Sequence, residues 1–133
     1  MITLFLLLII FVINGNAQNG GGISPISVND PDVIKFARRS LLKFNRQISK
    51  DPSWYIIEKI TSAQIQSVAG NKYFFNYIAI QTACSKAEIG YLKAYSWPCA
   101  NRKKAKRVQI KATLLDQPWL KSITIGINCY KYL

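Results

Sequence analysis

The period of the hydrophobic pattern changes once along the chain, near residue 53. Before that point, apolar residues recur at steps of three and four, which predicts one amphipathic helix from about residue 31 to residue 49. The predicted core stripe of this helix is Ile34, Ala37, Leu41, Phe44 and Ile48. After it, apolar residues recur at every second position, which is typical of strands that bury one face. A helix followed by hairpin-linked strands favours the α+β class, with an antiparallel sheet packed on the helix.

Local signals set the ends of the predicted helix. Asn29 or Asp30 can accept hydrogen bonds from the free N–H groups of the first turn, and Pro31 has the backbone angle that a first turn needs. The pair Asp51-Pro52 ends the helix, because the residue before a proline avoids helical geometry.

Two long strands follow, joined by a turn of small residues. We predict the strands at about residues 54–67 and 73–84, both rich in β-branched and aromatic residues, with residues 66–70 as the turn. Gly70 can adopt the positive φ that closes such a turn, and its small neighbours keep the turn thin.

Two further strands are predicted, at about residues 108–114 and 123–129, and a short extended piece at residues 23–28 precedes the helix. Pro118 interrupts the ladder between the last two strands, because it has no N–H to donate. In this layout the turns at Val68 and Trp119 lie at the same end of the sheet, since each follows a strand that runs toward that end. The segment before residue 23 reaches this end too.

A separate apolar run, residues 2–13, opens the chain. Gly15 and Ala17 follow it as the small residues that a signal peptidase cleavage site needs. We interpret residues 1–17 as a secretory signal peptide and residues 18–133 as one domain, which is then expected to be extracellular. A membrane anchor is the alternative, but a span needs about twenty apolar residues and this run is shorter.

The chain is strongly basic, with 18 Lys and Arg against 6 Asp and Glu, a formal net charge of +12. It contains no histidine, which excludes a Ser-His-Asp or Cys-His nucleophile and any His-ligated metal. The acidic residues form no recognisable catalytic pair, and the cysteines lack CxxC spacing. We therefore expect no enzyme activity, no cofactor and no metal ion.

Three motifs in order give the chain a resemblance to a known family. They are Gly21-Gly22 before the helix, Gln66-x-Val68-x-Gly70 at the central turn, and Pro118-Trp119 near the C-terminus. With them the chain resembles the cystatins, specifically the secreted type 2 branch. The resemblance implies a five-stranded antiparallel sheet wrapped around one long helix. It also implies reversible, tight-binding inhibition of papain-like cysteine peptidases, which include the cathepsin-like enzymes.

In that family a leader and two hairpin loops form a wedge that fills the peptidase active-site cleft. Carried over by position, the peptidase-binding residues here would be Gly21, Gly22, Gln66, Ser67, Val68, Ala69, Gly70, Pro118 and Trp119. The resemblance implies that this wedge covers the catalytic thiolate without offering it a scissile bond. Trp119 has the size and rigidity of an interface hot spot. The alternative for Trp119 is that it packs over the end of the sheet.

The cysteines depart from the type 2 pattern, which has two disulfides in the C-terminal half. The resemblance pairs Cys84 with Cys99 and leaves Cys129 alone, because no cysteine occupies the third place near residues 108–110. Cys129 shares one side of the predicted last strand with its isoleucines, so we expect a buried, unreactive free thiol. A disulfide-linked dimer through Cys129 is the alternative to the expected monomer.

Two other departures affect binding. Family members usually place an apolar residue before the glycine pair, whereas Asn19 and Gly20 stand here, so we expect the leader to contribute little affinity. Some type 2 cystatins also inhibit legumain-type peptidases through an Asn in a Ser-Asn-Asp motif after the helix. The corresponding place reads Ser49-Lys50-Asp51, so we expect no legumain inhibition.

A basic segment after Cys99 suggests a second hypothesis. Its cationic residues are Arg102, Lys103, Lys104, Lys106 and Arg107. They could bind an anionic polysaccharide, an anionic membrane or nucleic acid, or they could form a solvated loop with no ligand. The alternative function is therefore a basic, cystatin-like binding or host-defence protein that acts on anionic ligands or membranes without inhibiting peptidases.

Overall fold

One five-stranded antiparallel sheet packs against one long helix. A computed structural model describes residues 22–96, 99 and 104–133 of the chain. The elements in chain order are β1 (Ser24–Pro25), α1 (Pro31–Lys43) with a π-helical turn (Phe44–Ile48), β2 (Ser53–Ser67), β3 (Asn71–Ser85), α2 (Tyr91–Ser96), β4 (Arg107–Gln117), a 3-10 turn (Pro118–Leu120) and β5 (Ser122–Tyr132). The proposed signal peptide, Gly21, Arg102 and Lys103 lie outside the described residues.

The strands follow one another in the order β1-β2-β3-β4-β5, and each neighbouring pair is antiparallel. The α+β class and the five-stranded sheet are therefore confirmed. β1 is shorter than the extended piece predicted at residues 23–28, although the Ile26 N–H still donates to the Ala63 carbonyl at 3.1 Å. No helix in the described part of the chain is long and apolar enough to cross a bilayer.

The start of α1 is capped as predicted. The Asp30 carboxylate accepts hydrogen bonds from the N–H groups of Asp32 at 2.9 Å and Val33 at 3.3 Å, and Pro31 is the first helical residue. At the other end, the Asn45 side chain donates to the Tyr55 carbonyl at 2.9 Å and accepts from the Tyr55 N–H at 2.8 Å. These two bonds join the end of the helix to the start of β2.

The buried face of α1 is rotated relative to the predicted stripe. Ala37, Leu41 and Phe44 are buried as expected, but Val33 is also fully buried while Ile34 stays partly exposed. The buried positions follow the three- and four-residue spacing of one helix face, and they are Val33, Phe36, Ala37, Ser40, Leu41 and Phe44. Ser40 is tolerated on this face because its hydroxyl is hydrogen-bonded to the Ala37 carbonyl at 2.7 Å and to the Tyr77 hydroxyl at 2.8 Å. A polar residue thus lies in the middle of the core face, and Ile34 points away from it.

α2 was not predicted and forms a second, smaller core with β2 and β3. Its buried residues are Trp54, Cys84, Tyr91 and Ala94. The disulfide implied by the resemblance is present between Cys84 and Cys99, with Cα atoms 5.7 Å apart. Leu42 of α1 packs against this cluster, so the cluster joins α2 to the outer side of the long helix.

The prediction of a buried Cys129 is wrong, because β5 contains a bulge. Lys111 lies opposite Cys129 while Ala112 lies opposite Ile127, so Asn128 is an extra residue that reverses the alternation of side chains. Cys129 is consequently exposed, and Tyr130 takes the inner side, 5.5 Å from the Phe44 ring. Non-reducing gel electrophoresis can now test the alternative of a disulfide-linked dimer.

β5 forms one edge of the sheet and is contacted by the helix. The Lys43 ammonium group, at the last position of α1, donates a hydrogen bond to the Ile125 carbonyl at 2.7 Å. The helix therefore reaches the backbone of the edge strand as well as its side chains.

Candidate functional site

Three segments of the chain meet at one end of the sheet, as the strand directions predicted. Ser24 lies opposite Ile65, which places Gly22 beside the end of β2, and Asn71 lies opposite Asp116, which places the two turns side by side. A direct bond joins the turns, because the Gln117 side-chain amide donates to the Ala69 carbonyl at 2.9 Å. The residues expected to form a wedge are thus adjacent, except for Gly21, which lies outside the described residues.

The first turn holds its shape through its backbone. The Val68 N–H donates to the Gly70 carbonyl at 3.0 Å, and both Ala69 (φ 44°) and Gly70 (φ 128°) have positive φ angles. A Cβ atom on Gly70 would lie 2.5 Å from the Asp116 carbonyl oxygen. Glycine is therefore required here both by the backbone angle and by the close approach of β4.

The second turn presents large apolar side chains instead. Pro118–Leu120 forms a single 3-10 turn, closed by the Lys121 N–H donating to the Pro118 carbonyl at 3.0 Å. Trp119 is 64% exposed and Leu120 is 61% exposed. The alternative that Trp119 packs over the end of the sheet is therefore wrong.

The base of the wedge is a rigid aromatic cluster. Tyr73, at the start of β3, lies 5.1 Å from the Phe36 ring and 5.9 Å from the Phe75 ring. Burial, and after it the charges of Asp32, Asp30 and Asp116, raise the pKa of the Tyr73 hydroxyl. Tyr73 therefore stays neutral at physiological pH, so the aromatic cluster beneath the two turns does not change its charge in this pH range.

The basic segment divides into free and engaged residues. Lys104, Lys106 and Arg107 are all exposed, but only Arg107 among these three is in an ion pair, since its guanidinium donates to both Glu58 carboxylate oxygens, at 3.0 and 3.1 Å. Among the residues that the structure describes, no three His, Cys, Asp or Glu side chains gather where they could hold a metal ion.

Two residues of the site were missed from sequence. Gln117 links the turns, and Leu120 adds apolar surface beside Trp119. The position of Leu120 directly after Pro118-Trp119 could have indicated its exposure. No local signal identifies Gln117, because its partner lies 48 residues away in the chain.

Comparisons with known proteins agree with this geometry. A family model described as the cystatin domain matches residues 21–115. A cystatin from Pseudonaja textilis is 34% identical over 109 residues, which cover 79% of this chain and 76% of that protein. The solved structure of Al-CPI has a TM-score of 0.72 at 26% identity and covers 85% of this chain and 100% of that one. The structure of dimeric human cystatin F has a TM-score of 0.70 at 25% identity, with coverages of 85% and 86%. The chain belongs to the cystatin family.

Proposed function

We propose that this protein is a secreted, reversible, tight-binding inhibitor of papain-like cysteine peptidases. Membership of the cystatin family supports a general role as a cysteine protease inhibitor. The observation that carries the papain-like target is the joined pair of turns, one thin and shaped by glycine, the other presenting an exposed tryptophan. Together the two turns form a projection that fits a narrow cleft.

The first turn resists cleavage because of its conformation. A peptide bond is cut when its segment lies extended in the cleft, whereas here the bond from Val68 to the Gly70 carbonyl and the two positive φ angles keep the turn closed. The wedge would therefore cover the catalytic thiolate and exclude substrate without being consumed. Inhibition is then reversible occlusion of the cleft.

The second turn supplies most of the side-chain contact in this proposal. Trp119 and Leu120 together form an exposed apolar pair at the end of the sheet, and large apolar residues of this kind dominate interface energetics. The Gln117 bond to the Ala69 carbonyl fixes this pair relative to the first turn. Both turns would then enter the cleft as one rigid unit, with little ordering cost on binding.

The other parts of the proposal concern location and partners. A disulfide between Cys84 and Cys99 suits an oxidising compartment, which agrees with secretion directed by residues 1–17. We also propose that the chain acts as a monomer and does not inhibit legumain. The anionic polysaccharide hypothesis has less support, because the exposed Arg107 is already paired with Glu58, which leaves Lys104 and Lys106 as the cations without an ion pair among those of the segment that the structure describes.

Titration of papain and of a cathepsin-like peptidase tests the proposed function. We expect stoichiometric inhibition at nanomolar protein, with the inhibitor intact on a gel after prolonged incubation. Papain whose thiol carries a small methylthio group should still bind, because the wedge forms no bond with the thiolate. No inhibition by about 10 µM protein, a free energy of binding weaker than about 7 kcal/mol, would overturn the proposal in favour of the basic binding protein.

A further inference from the structure

A second surface lies on the side of α1 that faces away from the sheet. There α1 and residues 88–93 enclose an open groove of about 1060 Å³. Its apolar lining comes from Ile34 and Leu42 on α1 and from Tyr91 and Leu92 on α2. Ile34 lines this groove because the core face of α1 runs through Val33 and Phe36 and leaves Ile34 outside it. No lining residue belongs to the wedge, so a ligand in the groove would leave the wedge free.

The groove is also lined by basic residues from both helices. The basic lining residues are Lys35, Arg38, Arg39, Arg46 and Lys93, and the acidic one is Glu88. All five cations are exposed. Lys35 forms an exposed ion pair with Asp32 at 3.6 Å, and neither Arg39 nor Arg46 has an ion pair with any described residue. The groove therefore carries a strong positive potential.

The groove is already formed in the unbound protein. The Tyr91 hydroxyl donates to the Arg38 carbonyl at 2.7 Å and is 2.9 Å from the Tyr95 hydroxyl, and the Arg38 guanidinium lies 4.3 Å from the Tyr95 ring. The Trp54 indole donates to the Ile89 carbonyl, and a disulfide joins Cys84 to Cys99. Both walls are thus held in place before any ligand arrives.

The spacing of the cations along the groove, together with its apolar lining, favours one class of ligand. From Lys35 to Arg46 the cations extend over about 16 Å of helix. One anionic headgroup would meet one or two of them and leave the others unpaired, and a flat membrane cannot enter a concave groove. A second copy of this chain, with a net charge of +12 and 6 acidic residues, would be repelled. A linear anionic polysaccharide would meet the cations but leave the apolar lining uncovered, whereas an acidic helix with one apolar face matches both.

We propose that this groove binds an acidic amphipathic helix of a partner protein. Apolar side chains of that helix, spaced by three and four residues, would pack on Ile34, Leu42 and Leu92. Carboxylates on its flanks would pair with Arg39 and Arg46 on one wall and with Lys93 on the other. Because the wedge lies elsewhere, the protein can hold this partner and a peptidase together.

A labelled synthetic helix tests the proposal. The probe is about 16 residues long, with leucines on one face and glutamates on both flanks. We expect fluorescence anisotropy to give a dissociation constant below about 100 µM that weakens as salt is added. A version with lysine in place of glutamate, or a shuffled acidic version without an apolar face, should bind at least about tenfold more weakly. Equal binding of either control overturns the proposal.

Charge reversal locates the site on the full protein. Arg39→Glu with Arg46→Glu should weaken probe binding by at least about tenfold, whereas Lys111→Glu with Lys131→Glu, an equal charge change at exposed positions outside the groove, should weaken it by about twofold or less. Equal weakening by both pairs would mean attraction to net charge alone and overturn the proposal. So would binding to phosphatidylglycerol vesicles without binding to the probe.

A ternary complex tests the independence of the two surfaces. Papain inhibition by the Arg39→Glu, Arg46→Glu variant should equal that of the unaltered protein, and the preformed papain complex should still bind the labelled helix. Loss of probe binding in the papain complex would contradict the proposal that the surfaces act together. If papain is not inhibited at all, the proposed function fails while the groove is still tested by the probe.

Discussion

The two turns of the wedge are joined to each other but hold their shapes in different ways. The first relies on two positive φ angles, and its exposed side chains, Ser67, Val68 and Ala69, are all small. The second is an ordinary 3-10 turn and exposes Trp119 and Leu120. The first turn therefore acts through backbone shape and the second through side-chain surface. Substitutions that alter the backbone should damage the first most, and truncations should damage the second most.

Gly70→Ala should have the largest effect, because it breaks the shape of the first turn. A positive φ of 128° costs a non-glycine residue on the order of 1–3 kcal/mol, and the new Cβ meets the Asp116 carbonyl oxygen, so β4 and the second turn must move as well. We expect inhibition of papain to weaken at least about a hundredfold, since both turns are displaced. Denaturant unfolding should show a lower free energy of unfolding.

Gly90→Ala is the matched control for that variant. Gly90 has no atom within 4 Å of an added Cβ, so both inhibition and stability should stay unchanged. Comparable losses in the two glycine variants would contradict the shape argument.

Trp119→Ala should follow, through loss of side-chain surface alone. We expect binding to weaken by about 2 kcal/mol, about thirtyfold, mostly through faster dissociation, with thermal stability unchanged because Trp119 is largely exposed. Leu92→Ala removes another exposed apolar side chain, outside the wedge, and should leave the inhibition constant as it was. An unchanged inhibition constant for Trp119→Ala would contradict the proposal that the second turn supplies most of the side-chain contact.

Gln117→Ala tests the bond between the turns. Loss of the hydrogen bond to the Ala69 carbonyl should let the turns move relative to each other and weaken inhibition by about three- to tenfold, as expected for one exposed bond. Gln109→Ala removes a similar bond, to Asn76, far from the wedge and should have no effect on inhibition. Equal effects would show that the turns bind independently.

Removal of residues 18–20 should have the smallest effect. The segment offers no apolar side chain to a peptidase, so the inhibition constant should rise by less than about threefold, within the variation of ordinary rim contacts. A hundredfold rise measured by the same titration would show that the leader, and not the pair of turns, is the main binding element.

Local chemistry explains which features the sequence predicts. The Asp30 cap, the glycine of the first turn and the shared end of the two turns depend on residue type and strand direction, so they can be inferred directly. The exposure of Cys129 cannot, because the extra residue Asn128 in β5 is set by pairing with β4. The groove and α2 depend on the hydrogen bond from the Tyr91 hydroxyl to the Arg38 carbonyl, 53 residues away in the chain, for which the hydrophobic period carries no signal.

The contact of Lys43 with β5 has a consequence for solubility. A long edge strand is a template for pairing with strands of other molecules, which is how many sheet proteins aggregate. Here a charged side chain already occupies the Ile125 carbonyl, and a neighbouring strand would have to displace it and bury its charge. This contact therefore raises the free-energy cost of adding a strand at this position of the edge, and we expect Lys43→Ala to aggregate faster in concentrated solution.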